Sequence, residues 1–141
     1  MRLHLILGDQ LDIQAAALTQ LDRDTDILLM AEVVEEAEEV ANHRQRLVLF
    51  LSSMRHFAGE LEESGFTVRY VKLDDDGNSQ SLGGELSRAV DVLEAETVSV
   101  AHPGDHRVAT HLRQALPTIE FVPADSVTCS LEFCEDWARG R

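Results

Sequence analysis

Basic residues are scarce in this sequence: 12 Lys and Arg stand against 26 Asp and Glu among 141 residues, and the formal net charge is -14 at pH 7. Nucleic-acid backbones are bound through clustered Lys and Arg, so this chain by itself is not expected to bind DNA or RNA. Apolar runs long enough to span a bilayer are missing, and so is the pattern of a signal peptide. We therefore expect no membrane partner and a cytoplasmic location.

Metal-binding patterns are also missing. Cys129 and Cys134 stand five positions apart, a spacing that matches no common zinc or iron–sulfur site, and we interpret them as two free thiols in a reducing compartment. His102, Asp105 and His106 share one short stretch but lack the helical His-Glu-x-x-His frame that places two imidazoles on one face. We therefore expect no metal ion in this chain.

Glycine is absent from the positions where a pyrophosphate would need it. The apolar run of residues 3–7 leads directly into Gly8, Asp9, Gln10 and Leu11, as a buried parallel strand does when it opens onto a ligand crevice. No second or third glycine follows at the spacing of a dinucleotide-binding turn. The sequence therefore predicts a nucleotide-type crevice that has no phosphate-binding loop.

Apolar runs alternate with helical patterns along the chain. Strands are predicted over residues 3–7, 26–32, 66–71, 97–101 and 119–123. Helices are predicted over residues 13–21, 35–63 (in two pieces divided near 41–43), 82–93 and 108–116. This alternation with short connections is typical of an α/β fold, here a Rossmann-like open parallel five-stranded sheet with helices on both faces. Residues 1–125 would form that domain, and 126–141 would begin a linker or helix toward a further domain.

Ligands of open parallel sheets bind beyond the carboxyl ends of the strands. The candidate residues follow the first two strands or lie on the long helix: Gly8, Asp9, Gln10, Leu11, Glu32, Val33, Glu36, Phe50 and Met54. Each has a structural alternative. Asp9 has the side chain of a helix cap, the acidic run 35–39 suits a solvated first helical turn, and Phe50 and Met54 have core spacing. Arg55 and Arg69 are expected to pair with carboxylates, and His4 to be a satisfied strand residue.

The sequence resembles a known family along its whole length. The matching residues are 5–11 (LILGDQL), 32–33, 36–37, 53–58 (SMRHFA), 60–61, 65, 68–70, 103–104, 107, 132–133, 137–138 and 140–141. In these positions the chain is similar to the deoxyribodipyrimidine photolyase-related proteins, the iron–sulfur bacterial branch of the cryptochrome/photolyase superfamily. Members are several times longer than this chain, which resembles only their N-terminal α/β domain.

The resemblance implies a light-harvesting domain that binds an antenna chromophore, 6,7-dimethyl-8-ribityllumazine, and performs no bond chemistry itself. FAD, the four-iron cluster and the surface for damaged DNA would belong to the C-terminal domain of the same protein, which would be the partner of this one. Cys129 and Cys134 do not match the cluster ligands. The parent protein would be a photolyase for (6-4) or related lesions or a cryptochrome-like photoreceptor, and the sequence does not separate the two.

A lumazine is a flat ring with amide-type groups on its edge and a hydroxylated tail. Asp9, Gln10 and Glu36 have the side chains for those polar groups, and Phe50 and Met54 would supply an apolar wall. Two other functions compete with this hypothesis. One is a free-standing nucleotide-binding regulatory α/β module. The other is a small hydrolase or transferase with Asp9 and Glu36 as acid and base, which lacks a nucleophile.

Overall fold

The computed structural model describes residues 1–8, 10–34, 44–104 and 106–123. Within these ranges the elements follow in the order β1 (Arg2–Leu5), α1 (Ala16–Thr19), β2 (Ile27–Ala31), α2 (Arg44–Glu63), β3 (Thr67–Val71), α3 (Leu82–Leu93), β4 (Thr97–Ala101), α4 (His106–Ala115) and β5 (Glu120–Val122). The predicted division of the long helix near 41–43 and the predicted segment 126–141 lie outside the described residues.

One sheet holds all five strands in the order β3-β2-β1-β4-β5, and every neighbouring pair is parallel. The chain runs outward from β1 through β2 to β3, then crosses back to place β4 on the other side of β1. The strand order therefore reverses between β1 and β4, and an open α/β sheet binds its ligands at such a reversal. The predicted Rossmann-like parallel sheet is confirmed.

Two apolar clusters cover the two faces of the sheet. Strand side chains alternate between them, so that Leu3 and Leu5 join the cluster of α3 and α4, whereas Leu28 and Met30 join that of α1 and α2. This alternation follows from the period of two along a strand. Both faces of the sheet are thus buried by helices, as the sequence predicts.

Helix α2 ends at Glu63, where the predicted helix 35–63 ends, and Ser64 and Gly65 follow it. Gly65 has a φ of +97°, a conformation that glycine adopts without strain. The Phe66 N–H donates to the Leu61 carbonyl at 3.1 Å and the Gly65 N–H to the Glu62 carbonyl at 3.0 Å. These two bonds form a Schellman motif, which satisfies carbonyls at the helix end and turns the chain into β3.

The predicted first helix is shorter than its pattern indicates. Residues 13–21 have helical spacing, but α1 contains only Ala16–Thr19. The Asp12 carboxylate accepts the Gln14 N–H at 2.9 Å, which forms an Asx turn and delays the start of the helix. A hydrogen bond from the Leu21 N–H to the Leu18 carbonyl then closes a turn at the other end.

Candidate functional site

Gln10 bridges the two strands at the point where the strand order reverses. Its Nε2 donates to the carbonyl of Ala101, the last residue of β4, at 2.9 Å. Its Oε1 accepts the Leu7 N–H, just beyond β1, at 3.3 Å. An amide has two donor hydrogens and two acceptor sites, so the bonds of Gln10 to the residues that the structure describes use one of each. Gln10 therefore holds the carboxyl ends of β1 and β4 together.

Gly8 and Phe50, predicted separately for one crevice, are in close contact. The Phe50 ring from α2 lies directly on the Gly8 backbone, so that a Cβ built on Gly8 would stand 2.1 Å from its Cζ. Only a residue without a side chain permits this approach. Just beyond β1, the Phe50 ring thus packs on the backbone of Gly8, two residues before Gln10.

Replacing Gly8 with alanine is expected to lower the free energy of unfolding by about 1–3 kcal/mol, because the added methyl group forces the Phe50 ring to move. A denaturant titration followed by circular dichroism measures the change. Gly59→Ala is the matched control, since nothing lies within 4 Å of its Cβ position and alanine favours a helix. In a Phe50→Ala background most of the Gly8→Ala loss should disappear. An equal loss in both backgrounds would refute the contact.

Leu11 lies on the flank of α2. It lines an open groove of about 590 Å³ whose other lining residues all belong to that helix: Ser52, Ser53, His56, Phe57 and Glu60. Val33 and Met54 are both buried, Val33 in the cluster of α3 and α4 and Met54 in that of α1 and α2. The structure therefore brings Gly8 and Phe50 into contact, whereas Val33 and Met54 are buried on opposite faces of the sheet and Leu11 lies in the groove beside α2. Asp9 and Glu36 lie outside the described residues.

Glu32, just after β2, is 1% exposed and its carboxylate is held by three residues. Arg55 binds it in a bidentate manner, Nε to Oε2 at 2.7 Å and Nη2 to Oε1 at 2.8 Å. The Tyr70 hydroxyl donates to Oε2, and the Leu73 N–H donates to Oε1 at 3.0 Å. Both carboxylate oxygens thus have two donors each. In this structure Glu32 organises the carboxyl edge of the sheet, and its predicted contact with a ligand stays a prediction.

The ionisation of this cluster follows from its contacts. Burial would raise the pKa of the Glu32 carboxyl, but the hydrogen bonds it accepts, led by that from Arg55, outweigh burial and hold the pKa below its ordinary value. Burial and the bond to Glu32 raise the pKa of Tyr70 far above its usual range. The cluster is therefore a carboxylate, a guanidinium and a neutral phenol at neutral pH.

The predicted pairing of Arg55 with a carboxylate is confirmed, whereas no role was predicted for Tyr70, Asn78 or Gln80. Tyr70 stands beside Glu32 because β2 and β3 pair in parallel with Met30 opposite Tyr70. Asn78 and Gln80 lie between β3 and α3, where polar residues look like an ordinary solvated loop. The polar, amide-rich run after Gly77 is the signal that could have drawn attention to them.

His102 and His106 follow β4. His102 Nδ1 lies 3.0 Å from the Pro103 carbonyl oxygen, and its ring packs on Phe121 with 5.6 Å between centroids. His106 Nε2 lies 3.4 Å from the Thr110 hydroxyl. Among the residues that the structure describes, no three His, Cys, Asp or Glu side chains are placed to hold a metal ion. No helix in the same part of the chain is long and apolar enough to cross a membrane.

An open parallel five-stranded sheet whose strand order reverses between β1 and β4 defines a Rossmann-like α/β domain. A model of the family described as deoxyribodipyrimidine photo-lyase-related protein matches residues 4–141. The chain is 41% identical over 111 residues to a (6-4) photolyase of Agrobacterium fabrum (strain C58 / ATCC 33970), a match that covers 79% of this chain and 22% of that protein. This chain therefore belongs to the deoxyribodipyrimidine photo-lyase-related protein family.

Proposed function

We propose that this chain is the light-harvesting part of a photolyase-like DNA-repair protein and binds 6,7-dimethyl-8-ribityllumazine at the carboxyl edge of its sheet. The observation that carries the proposal is the contact between Phe50 and the Gly8 backbone beside the reversal of strand order. It supplies an aromatic surface for a flat heterocycle in a place where open α/β sheets bind ligands.

The chemistry of the described residues fits this ligand. Gln10 would use its other donor and acceptor for the amide-type edge of the ring or for a ribityl hydroxyl. Asp9 and Glu36 would supply the remaining polar contacts. A ribityl lumazine carries no phosphate, so it needs neither a glycine-rich loop nor a basic clamp, and the chain's 12 Lys and Arg against 26 Asp and Glu suit a neutral ligand.

The rest of the parent protein would use the absorbed light. When bound, the lumazine would absorb near-ultraviolet and blue light and pass the excitation to a flavin. FAD, the four-iron cluster and the contacts with damaged DNA would lie in residues beyond this chain, which spans 22% of the length of the relative it matches. This chain's own residues would bind and orient the chromophore and keep water away from its ring.

Titrating the purified chain with 6,7-dimethyl-8-ribityllumazine tests the proposal. We expect a red-shifted absorption band and a change in lumazine fluorescence that saturates at a one-to-one ratio, because transfer into a partly apolar site alters the chromophore's surroundings. ATP titrated in the same way should cause no change. Saturable ATP binding without lumazine binding would instead support a nucleotide-binding regulatory module and overturn the proposal.

Glu36→Ala is expected to weaken lumazine binding about tenfold or more, which is the value of a hydrogen bond to a charged group. Glu39→Ala is the matched control, since it removes an acidic residue from the same run and should leave the dissociation constant unchanged. Circular dichroism establishes that both variants are folded. Equal affinities for the two variants would show that Glu36 makes no polar contact with the ligand.

A further inference from the structure

One flank of α2 carries a row of accessible side chains. Positions 46, 49, 53, 56, 60 and 63 follow one another at alternating intervals of three and four, so they form one stripe along the helix. This α2 stripe consists, in chain order, of Arg46, Leu49, Ser53, His56, Glu60 and Glu63. Ser53 is partly exposed and the other five residues are exposed. The α2 stripe is therefore a surface on which another molecule can dock.

Leu49 leaves a large apolar side chain uncovered on the α2 stripe. It is 68% exposed, and the side chains of a helix tilt toward its N-terminus. Leu49 therefore leans away from the open groove of about 590 Å³, which begins at Ser52 and has Leu11 and Phe57 among its lining residues. Contact with an apolar surface would remove Leu49 from water, which is favourable. The same flank of α2 thus presents an uncovered leucine and, one turn further, a partly apolar groove.

The charges at the two ends of the α2 stripe oppose the dipole of the helix. Arg46 lies in a first turn without acidic residues, and Glu62 and Glu63 end a last turn without basic ones. A helix has a partial positive charge at its N-terminus and a partial negative charge at its C-terminus, so both placements are unfavourable. Within the residues that the structure describes, neither Arg46 nor Glu63 forms an ion pair. A second helix that runs antiparallel would supply opposite charges at both ends.

We propose that α2 docks on α2 of a second copy of this chain, with the two helices antiparallel and a twofold axis between Ser53 and His56. In this register Arg46 faces Glu63 of the second copy, and a twofold interface repeats the contact at its other end. Each basic helix start then meets an acidic helix end, and the two helix dipoles run in opposite directions. This inference does not depend on lumazine binding.

The same register covers the apolar part of the α2 stripe. Leu49 faces Glu60 of the second copy, and Glu60 lines the groove together with Leu11 and Phe57. The leucine of each copy therefore enters the groove of the other, and two leucines are removed from water in one dimer. Because a single register both pairs the charges and covers Leu49, the α2 stripe is self-complementary. This self-complementarity favours a second copy over an unrelated partner.

Sedimentation equilibrium of the purified chain over a wide range of concentrations tests for the second copy. The formal net charge of -14 makes two copies repel each other at long range. The measurement is therefore made at about 0.15 M salt, where charges more than about 8 Å apart are largely screened. We expect a reversible equilibrium between monomer and dimer. A monomer at every concentration would overturn the inference and favour a different occupant of the groove.

Leu49→Ser is expected to weaken the association about tenfold or more, because each dimer loses two buried leucines. Val92→Ser is the matched control, since Val92 is a 60% exposed apolar residue on α3 and should leave the association constant unchanged. Circular dichroism establishes that both variants are folded. An association constant that is unchanged in Leu49→Ser, or lowered equally in both variants, would contradict docking through the α2 stripe.

Exchanging the charges tests the register. Arg46→Glu should weaken the association about tenfold or more, because two attractive contacts per dimer become repulsive. Adding Glu63→Arg should restore it, since the same pairs form again with exchanged signs. Arg46→Glu with Glu62→Arg is the matched control: it has the same net charge, but position 62 lies about 100° around the helix from position 63. Equal recovery in the two double variants would attribute the effect to net charge and overturn the proposed register.

Discussion

Replacing Glu32 with alanine is expected to lower the free energy of unfolding by about 3 kcal/mol. The carboxylate is the common acceptor for Arg55, Tyr70 and the Leu73 N–H. Its removal leaves the phenol and the N–H, which are both partly buried, without their acceptor, and each such group costs about 1–3 kcal/mol where water does not replace the acceptor. The shortened side chain also leaves a cavity.

The ion pair itself contributes less to this loss. The side chain of Arg55 is 48% exposed, so water takes over its solvation when the carboxylate is gone. Arg55→Ala has the opposite imbalance, because it leaves the buried carboxylate with only the Tyr70 and Leu73 donors. We expect Arg55→Ala to raise the pKa of Glu32 and to destabilise the fold by about 2 kcal/mol, since a partly compensated buried charge is unfavourable.

Chemical denaturation at neutral pH, followed by circular dichroism, measures both losses. Glu120→Ala is the matched control, since Glu120 is an exposed glutamate on the edge strand β5, where a substitution changes stability by about 0.5 kcal/mol or less. The destabilisation caused by Tyr70→Phe should lie between those caused by Glu32→Ala and Glu120→Ala, because the Glu32 carboxylate then keeps its bonds from Arg55 and Leu73. If Glu32→Ala unfolded at the same denaturant concentration as Glu120→Ala, the carboxylate would have no organising role.

Local patterns predicted the elements of this fold because each has a local cause. Strands appear as short apolar runs, and the end of α2 is encoded by Ser64 and Gly65. The contact between Gly8 and Phe50 joins residues 42 positions apart (50 minus 8), yet both were predicted for the crevice. Gly8 is recognisable because it follows an apolar strand, and Phe50 because it belongs to the apolar face of a helix. The parallel α/β topology then brings the two together.

The surroundings of Glu32 and Gln80 were not predictable in this way. That Tyr70 lies beside Glu32 depends on the register between β2 and β3, which no local pattern encodes. The left-handed backbone at residue 80 is not indicated by the residue type, because the position is occupied by glutamine and not by glycine or asparagine. It is supported by bonds to Val34, Leu73 and Asn78, of which Val34 stands 46 positions before Gln80 in the sequence. Such tertiary contacts override local preference and become visible only with the structure.

His4 makes the stability of this protein depend on pH. The residue lies on β1 and is 3% exposed, and its Nδ1 is 2.9 Å from the hydroxyl of Ser99, its neighbour on β4. Burial first, and the charge of Arg2 second, lower the pKa of His4 from 6.5 to about 4. The expectation that His4 is a satisfied strand residue is confirmed, and it implies that the folded chain holds this imidazole neutral.

The sign of the pH dependence follows from linkage. In the unfolded chain His4 takes up a proton near pH 6.5, whereas in the folded chain it does so only near 4. Between these values the unfolded state binds more protons, so lowering the pH favours unfolding. From pH 7 to pH 5 the loss through His4 is about 2 kcal/mol, and it approaches about 3 kcal/mol near pH 4. The pKa of Glu32 is held below its ordinary value of 4.5. The stability that Glu32 contributes is therefore lost mainly below pH 5, outside the range from pH 7 to pH 5.

Denaturant unfolding at pH 7 and pH 5 isolates this effect. In His4→Gln the amide can still bond to Ser99 but does not titrate, so the drop in unfolding free energy between the two pH values should shrink by about 2 kcal/mol. His56→Gln is the matched control, because the His56 side chain is 81% exposed and its loss should leave the drop as it is in the wild-type chain. If His4→Gln lost as much stability between pH 7 and pH 5 as the wild-type chain, the prediction would be wrong. The buried imidazole would then not be the source of the pH dependence.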